Sequence, residues 1–427
     1  MSAERRDYLR VGILNQKAGN KQIGQEWAIA MAFVGVIVGA GLSSGQDILQ
    51  YFLSFGSWGL AGIILLTGLM VYFGGIILAF GSHYRASSHE TVLKKIGTPL
   101  TSRVIDWMLV AASFIIGFVM IAGAGSNLEQ QFGLPSWAGA LLCTVLVVAA
   151  SFLDFDKITR LLGIFTPLVI VMLIGICAYS LLTRPLDIDA LDAAAKTISA
   201  PVGNVWLSAL NYFAMCIMTG LSMAIVLGGS TLEISTAEKG GRYGGLMIGL
   251  IMVLAFVSLF LNIDMVKDAP IPMLKIASEI SPLFALVYTL TILALIFNTA
   301  FSLFYALAKR FGKGEEKRTR LFMIVLCAAG YGCSFGGFTE MIGTLYPLIG
   351  WMGLLPTGLL ATGWLKQKDS IQSEKKTRSS LLSLARNWKL NEKKLSVKER
   401  KTFDALCLKS CLSTPKIRQA VLEEVLQ

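Results

Sequence analysis

The feature that most constrains this chain is the gathering of its apolar residues into long runs with almost no charge inside them. Each run is about 18 to 28 residues long, and a helix rising 1.5 Å per residue needs about 20 such residues to cross a hydrocarbon core roughly 30 Å thick. Lipid offers no hydrogen-bond partners, so only an element that satisfies its own backbone can cross it, and the runs read as helices. A composition 54% hydrophobic and 15% charged, with mean hydropathy +0.64, points the same way. Apolar runs between polar breaks fall at 27–55, 57–80, 103–126, 134–153, 158–183, 204–230, 242–263, 282–308, 320–337 and 339–365. The expected fold is an all-α integral membrane protein of about ten transmembrane helices.

Orientation follows from the basic residues, which favour the cytoplasmic side of a membrane. Of the 38 Lys and Arg, 34 lie in the N-terminal segment, in the alternate loops 81–103, 154–160, 231–242 and 309–320, and beyond Leu365. The exceptions are Arg184, Lys196, Lys267 and Lys275. Both termini are therefore expected in the cytoplasm, at a cytoplasmic membrane, with 1–26 as an N-terminal segment, 27–365 as the transmembrane domain and 366–427 as a basic tail. The segment through Gln25 is polar and shows no short apolar core with a cleavage site, so no removable signal peptide is read there. The loops 184–203 and 264–281 are long enough to hold short surface helices. The tail carries 15 Lys and Arg against 7 Asp and Glu. Anionic lipid is its expected partner, because no aromatic-basic interleaving or nucleic-acid motif accompanies the charge. Between Leu382 and Leu412 it mixes Leu384, Trp388, Leu390, Leu395 and Phe403 with lysines, a pattern that fits either an amphipathic helix on the inner leaflet or a solvated tail. Cys407 and Cys411 lack a nearby His, which favours helix packing over zinc.

The first run, Trp27 to Phe55, is interrupted midway by Gly39-Ala40-Gly41-Leu42-Ser43-Ser44-Gly45 and then Gln46-Asp47. Glycine costs about 1 kcal/mol against alanine in a helix, and serines compete for backbone hydrogen bonds. A break at bilayer depth is tolerated only where it lines a cavity, so a break implies a binding site. The amides of Ala40 and Gly41 would meet an anionic group, and the carbonyls of Gly35 and Val38 a cation. The competing explanation is close helix packing, since Gly35/Gly39 and Gly41/Gly45 are both G-x-x-x-G spacings. The sixth run tips the balance: Asn211, Tyr212, Thr219, Gly220 and Ser222 place a second polar interruption five spans later, and Gly220-Leu221-Ser222 repeats Gly41-Leu42-Ser43. Paired interruptions in two halves point to a transporter built as a 5+5 inverted repeat with helices one and six broken. The expected substrate-binding residues are Gly39, Ala40, Gly41, Ser43, Ser44, Asn211, Tyr212, Thr219, Gly220 and Ser222.

Gly35 to Gln46, with its Gly-Ala-Gly and Ser-Gly-Gln-Asp, resembles the first helix of the YkvI-like bacterial membrane proteins, a family grouped as amino-acid permeases, and the resemblance extends over most of 27–365. It implies the amino acid-polyamine-organocation superfamily and the leucine-transporter fold, with substrate held between helices one and six. It also implies a sodium site at the carbonyls of Gly35 and Val38 with the hydroxyls of Thr299 and Ser302. Those hydroxyls are one helical turn apart, where the sodium symporters have an adjacent pair, so Na+ and H+ both stand as candidate coupling ions. Val36 and Leu42 stand where those symporters use asparagines for a substrate-linked sodium, and that site is expected to be absent.

Asp47 and Glu340 lie toward the outer ends of spans one and ten. They are candidates for a gate or a proton carrier, with wetting by an outer vestibule as the plainer alternative. Asp106 beside Arg103 reads as an interfacial pair, and His83 and His89 as surface residues. Pro167, Pro347 and Pro356 are expected to kink their spans. The only two histidines share one loop and no nucleotide-binding loop is present, so neither an enzyme nor a primary pump is expected, and no cofactor. The expected function is a secondary transporter for an amino acid or related small zwitterion or amine. The alternative is a sensor or assembly factor acting through the tail.

Overall fold

The computed structural model describes residues 22–153, 165–313, 315–391 and 397–426, and within them every regular element is a helix. The loop 154–160, the first residues of the fifth run and residues 1–21 lie outside that set. The first run becomes three pieces: α1 (Gln22–Ile37), α2 (Ala40–Ser44) and α3 (Gln46–Tyr51). Then come α4 (Gly59–Tyr84), α5 (His89–Ile96), α6 (Pro99–Phe132), α7 (Ser136–Ala150), α8 (Phe165–Thr183) and α9 (Ile188–Ala195). The second half holds α10 (Val205–Ser230), α11 (Ile234–Leu261), α12 (Ile263–Val266), α13 (Pro272–Ile280), α14 (Pro282–Phe311), α15 (Glu316–Cys333) and α16 (Phe338–Asn391), followed by α17 (Val397–Lys409) and α18 (Thr414–Leu426).

Among the described residues eight helices are long and apolar enough to cross a membrane, and the remaining two expected positions hold the shorter apolar helices Gln22–Ile37 and Ser136–Ala150. Local chemistry sets many of their ends. Thr98 and Thr101 form a capping box with Pro99 at the start of α6, and Ser281 caps α14 ahead of Pro282. Asn204 accepts from the amides of Trp206 and Leu207 to start α10. Outward faces carry exposed Leu142, Val145, Val171, Leu250 and Leu290, as a lipid-facing surface requires.

Helix pairings repeat between the halves. α4 packs on α11 and α6 on α14, pairs that map onto themselves when the halves are exchanged. The contact of α6 with α7 is matched by α14 with α15, that of α8 with α14 by α16 with α6, and that of α8 with α11 by α16 with α4. Both ends of the described chain meet on one side of the bundle, which we call the terminal side: Gln22 donates to Glu233 and Thr236, and Gln25 donates to Glu424 at 3.4 Å.

Four expectations change here. α10 is one unbroken helix from Val205 to Ser230, so the sixth span is continuous. Its Gly220 serves close packing instead, because a Cβ there would come 2.5 Å from Ile37 Cδ1. Both long loops do hold helices, α9 and α13, but α13 is tucked in rather than superficial, with Met273, Leu274 and Ile276 buried. Gln130 secures it by donating to Ile271 O and accepting from Ile271 N. The two histidines are not surface residues. His83 is buried, and His89 bonds Ser222 and Asp106. Asp106 takes Arg310, not Arg103, as its ion-pair partner.

The tail also differs in form. α16 continues through position 365 as a single 54-residue helix containing Pro347 and Pro356, roughly 80 Å long. Beyond the membrane its Arg378 is fully buried. Arg378 Nε donates to Glu374 at 2.7 Å, and the guanidinium donates to Ser82 O and His83 O at the end of α4, and to Leu232 O. Leu381, Leu382, Phe403, Cys407, Ile417 and Val421 close a small apolar cluster over Leu232. Apolar tail residues read above as either an amphipathic face on the inner leaflet or part of a solvated tail, Leu384 and Phe403 among them, pack against protein, while Trp388 stays exposed. The side chains of Leu390 and Leu395 lie outside the described set. Removing one partner of a buried pair leaves an uncompensated charge, at a cost of about 3–5 kcal/mol. Arg378→Ala should lower the melting temperature of the purified protein in detergent, and Glu374→Gln with Arg378→Met together should recover most of the loss.

Candidate functional site

The break in the first helix is made by two glycines. α1 ends with Val38 N bonding Val34 O and Gly39 N bonding Ile37 O, and α2 begins with Gly39 as an extended N-cap. Gly45, at φ +83°, turns the chain from α2 into α3, a conformation only glycine adopts without strain. The polar groups so exposed are met from close by. Ser43 Oγ donates to Gly39 O at 3.0 Å, Ser44 Oγ to Gly41 O at 2.7 Å, and Tyr288 Oη to Ser43 O at 2.8 Å.

Against the break lies a cavity of about 110 Å³. Gly35, Val36, Ile37, Gly39, Gly41, Leu42 and Asp47 form one wall; α6 gives Ile116 and Met120, α10 gives Tyr212, Met215, Cys216 and Thr219, α14 gives Thr299 and Leu303, and α16 gives Tyr346. On the terminal side its lining is open: Gly35 is exposed, and Val36, Ile37, Thr219, Thr299 and Leu303 are half-buried. On the other side everything from Gly41 to Ser54 is buried. There Tyr51 and Phe52 pack on Tyr212 with ring centroids 5.1 and 5.6 Å apart, Ser208 Oγ donates to Tyr51 O, and Gln50 Nε2 donates to Thr339 O. Beyond this plug is a second cavity of about 390 Å³, lined by Gln46, Gln50, Thr197, Lys267, Asp268 and Thr339 among others. It is framed by the two long loops opposite the termini.

The expected substrate residues divide. Gly39, Gly41, Tyr212 and Thr219 line the cavity. Ala40 opens α2 beside them, but its side chain is outside the described set. Ser43 and Ser44 are spent on the carbonyls of the break. Asn211 donates to Pro347 O at 3.0 Å, tying α10 to α16. Gly220 packs on Ile37, and Ser222 belongs to the His89–Asp106–Arg310 chain of contacts on the terminal side. Of the ion-site residues, Gly35 and Thr299 line the cavity; Val38 and Ser302 do not, and Thr299 Oγ1 donates to Leu295 O. Val36 and Leu42 face the cavity and offer no side-chain oxygen there.

Asp47 is the acidic residue of the cavity wall. It is 3% exposed, accepts from Tyr212 Oη at 2.9 Å through Oδ2, and has no partner at Oδ1 among the described residues. A Cβ on Gly41 would fall 2.6 and 2.8 Å from its two oxygens, so Gly41 is what lets this carboxylate lie over the break. Glu340 is elsewhere, exposed in the first turn of α16. Met120, Cys216 and Tyr346 were not legible as site residues. Methionine and cysteine in an apolar run look like core, and Tyr346 precedes a proline in a run whose limits were poorly marked.

No family model matches the chain. It is 24% identical over 337 residues to the uncharacterised membrane protein YkvI of Bacillus subtilis, covering 79% of this chain and 95% of that one. This chain is a distant homologue of YkvI. YyaD of the same organism, also uncharacterised, is 22% identical over 332 residues, 78% of this chain and 94% of its own. Among solved structures, MhsT in complex with L-phenylalanine superposes with a TM-score of 0.57 at 16% identity, covering 93% of this chain and 98% of that one. Mhp1 in an inward-facing conformation gives 0.50 at 13% identity, covering 92% and 90%. The fold is therefore that of the leucine transporter, expected from the resemblance, and these neighbours are transporters rather than enzymes.

Gly41→Val separates a binding role for the break from simple helix packing. The larger side chain must push Asp47 off the cavity wall. Ligand-induced stabilisation should fall at least tenfold in apparent affinity while helical content, read by circular dichroism, is unchanged.

Proposed function

We propose that the chain is a secondary active transporter for an amino acid or related small zwitterion or amine, working by alternating access. The observation that carries this is the pair of cavities on opposite sides of one plug, with the broken helix contributing to both: Gly39 and Asp47 to the first, Gln46 and Gln50 to the second. A substrate held at the break passes from one side to the other if the Tyr51–Phe52–Tyr212 contact opens and the terminal-side mouth closes. A neighbour of the same fold holds L-phenylalanine, so a ligand of that size is within the fold's range. The charge bias of the loops makes the terminal side cytoplasmic, at the cytoplasmic membrane, and the open mouth is then the inward one. The coupling ion is H+ or Na+. Anionic lipid around the basic tail remains part of the proposal.

The sensor reading keeps one supporting observation, the docking of the tail on the end of α4 and on the 231–233 segment. Cutting after Lys366 would sever α16 and remove Arg378, so the point substitution is the cleaner test. A transporter bearing Arg378→Ala still takes up substrate in proteoliposomes once folded; a tail-operated sensor binds ligand but loses its output.

Thermal-shift screening of the purified protein against amino acids and amines, with and without sodium and at two pH values, tests the main reading. A ligand at about 100 times its Kd should stabilise by roughly 2.7 kcal/mol. Stabilisation by no compound in any condition would contradict it.

A further inference from the structure

We propose that the cavity recognises the protonated amine of its substrate through Asp47, and that the transported class is a small organic amine without a carboxylate rather than a zwitterionic amino acid. This rests on the transporter reading and narrows its substrate.

Charge balance favours an amine. Asp47 is buried on the cavity wall with Oδ1 unpartnered, and no Lys or Arg is among the lining residues. A lone carboxylate at this depth has lost its water without gaining a counter-ion, and burying such a charge is expensive unless a cation pairs with it or a proton neutralises it. Tyr212 supplies one neutral hydrogen bond to Oδ2, which leaves Oδ1 as the acceptor for an ammonium N–H.

The position of Asp47 disfavours a carboxylate. A zwitterion needs an anion-friendly place as well as a cation-friendly one, and the break's amides at Ala40 and Gly41 were the expected host for its carboxylate. Asp47 lies against Gly41, with its oxygens 2.6 and 2.8 Å from where a Gly41 Cβ would sit. A substrate carboxylate at that point would face a like charge at close range in a poorly hydrated site, which is destabilising. An ammonium at the same point is attracted.

The remaining lining suits an organic cation. Tyr212 and Tyr346 bring aromatic rings, and Met120 and Met215 bring thioethers, to the same cavity, with Ile116 and Leu303 completing it. Aromatic faces attract organic cations, and the apolar groups suit an alkyl or aryl body. The volume of about 110 Å³ restricts that body to a small one.

Matched pairs differing only in the carboxylate test this: isoamylamine against L-leucine, and phenethylamine against L-phenylalanine. Each is titrated by thermal shift into the full-length protein in detergent and into Asp47→Asn. The expected result is stabilisation by the amines at concentrations at least tenfold below those of their amino acids, with the amine effect lost in Asp47→Asn. Amino acids binding as well as or better than the amines in the unaltered protein would overturn the proposal and leave the transporter reading standing; this comparison needs no variant to fold. An Asp47→Asn protein that keeps the ligand preference but loses its pH dependence would make Asp47 a proton carrier and also overturn it. No stabilisation by any of the four compounds would overturn it, and a wider screen equally blank would reject the transporter reading too.

Discussion

The absence of hydrogen-bond partners in lipid is the constraint on which the rest of this molecule depends. A helix interrupted at that depth must have its freed polar groups met by its own neighbours or by a ligand. Here most are met locally: Ser43 and Ser44 turn back on the carbonyls of Gly39 and Gly41, Tyr288 reaches over to Ser43 O, and Gln46 N finds Ser44 Oγ. Among the described side chains of this segment, Asp47 Oδ1, Gln46 Oε1 and Gln50 Oε1 have no hydrogen-bond partner, and of these residues Asp47 lines the cavity beside the break. The serines that looked like ligands in the sequence are thus bonded to the carbonyls of the break, and Asp47 is the group through which we propose that it binds.

The repeat of helix pairings between halves places this break at the middle of the bundle, yet the halves are not copies in detail. The first helix breaks and the sixth does not. The difference has a packing cause: Gly220 stays helical and lets Ile37 of α1 approach closely, whereas Gly39 and Gly45 end and redirect helices. α10 then serves as the unbroken wall against which Tyr212 holds Asp47, and Tyr51 and Phe52 form the plug. A continuous sixth helix contributes the side chains of Tyr212, Met215, Cys216 and Thr219 to the cavity.

The spans were legible because hydrophobic length is a strong signal, and the interruption at 39–45 because glycine and serine rarely interrupt so apolar a run without consequence. The shared side of both termini was legible from charge. Other features were not, for identifiable reasons. A tripeptide match at Gly220-Leu221-Ser222 does not distinguish a break from a packing glycine, since both need the same small residue. Asn211 and Ser222 are polar in an apolar helix for contacts with Pro347 and His89, partners that sit more than a hundred residues away in sequence. The lysines of the tail disguised a folded module, because its cluster draws on Leu232 from the loop between α10 and α11 and on a buried Arg378 whose acceptors are backbone carbonyls. Composition records charge but not which charge is covered.

In the proposed transporter the cavity beside the break is a substrate pathway, open in this conformation on the terminal side only. Cysteine accessibility reads this directly, using Val36→Cys in a background with the native cysteines replaced, including Cys216 of the cavity wall. A membrane-impermeant maleimide should label position 36 from the cytoplasmic face in inside-out vesicles and not in right-side-out ones, and a bound amine should slow that labelling. Labelling from the outer face alone, or a rate indifferent to every ligand that stabilises the protein, would contradict the account.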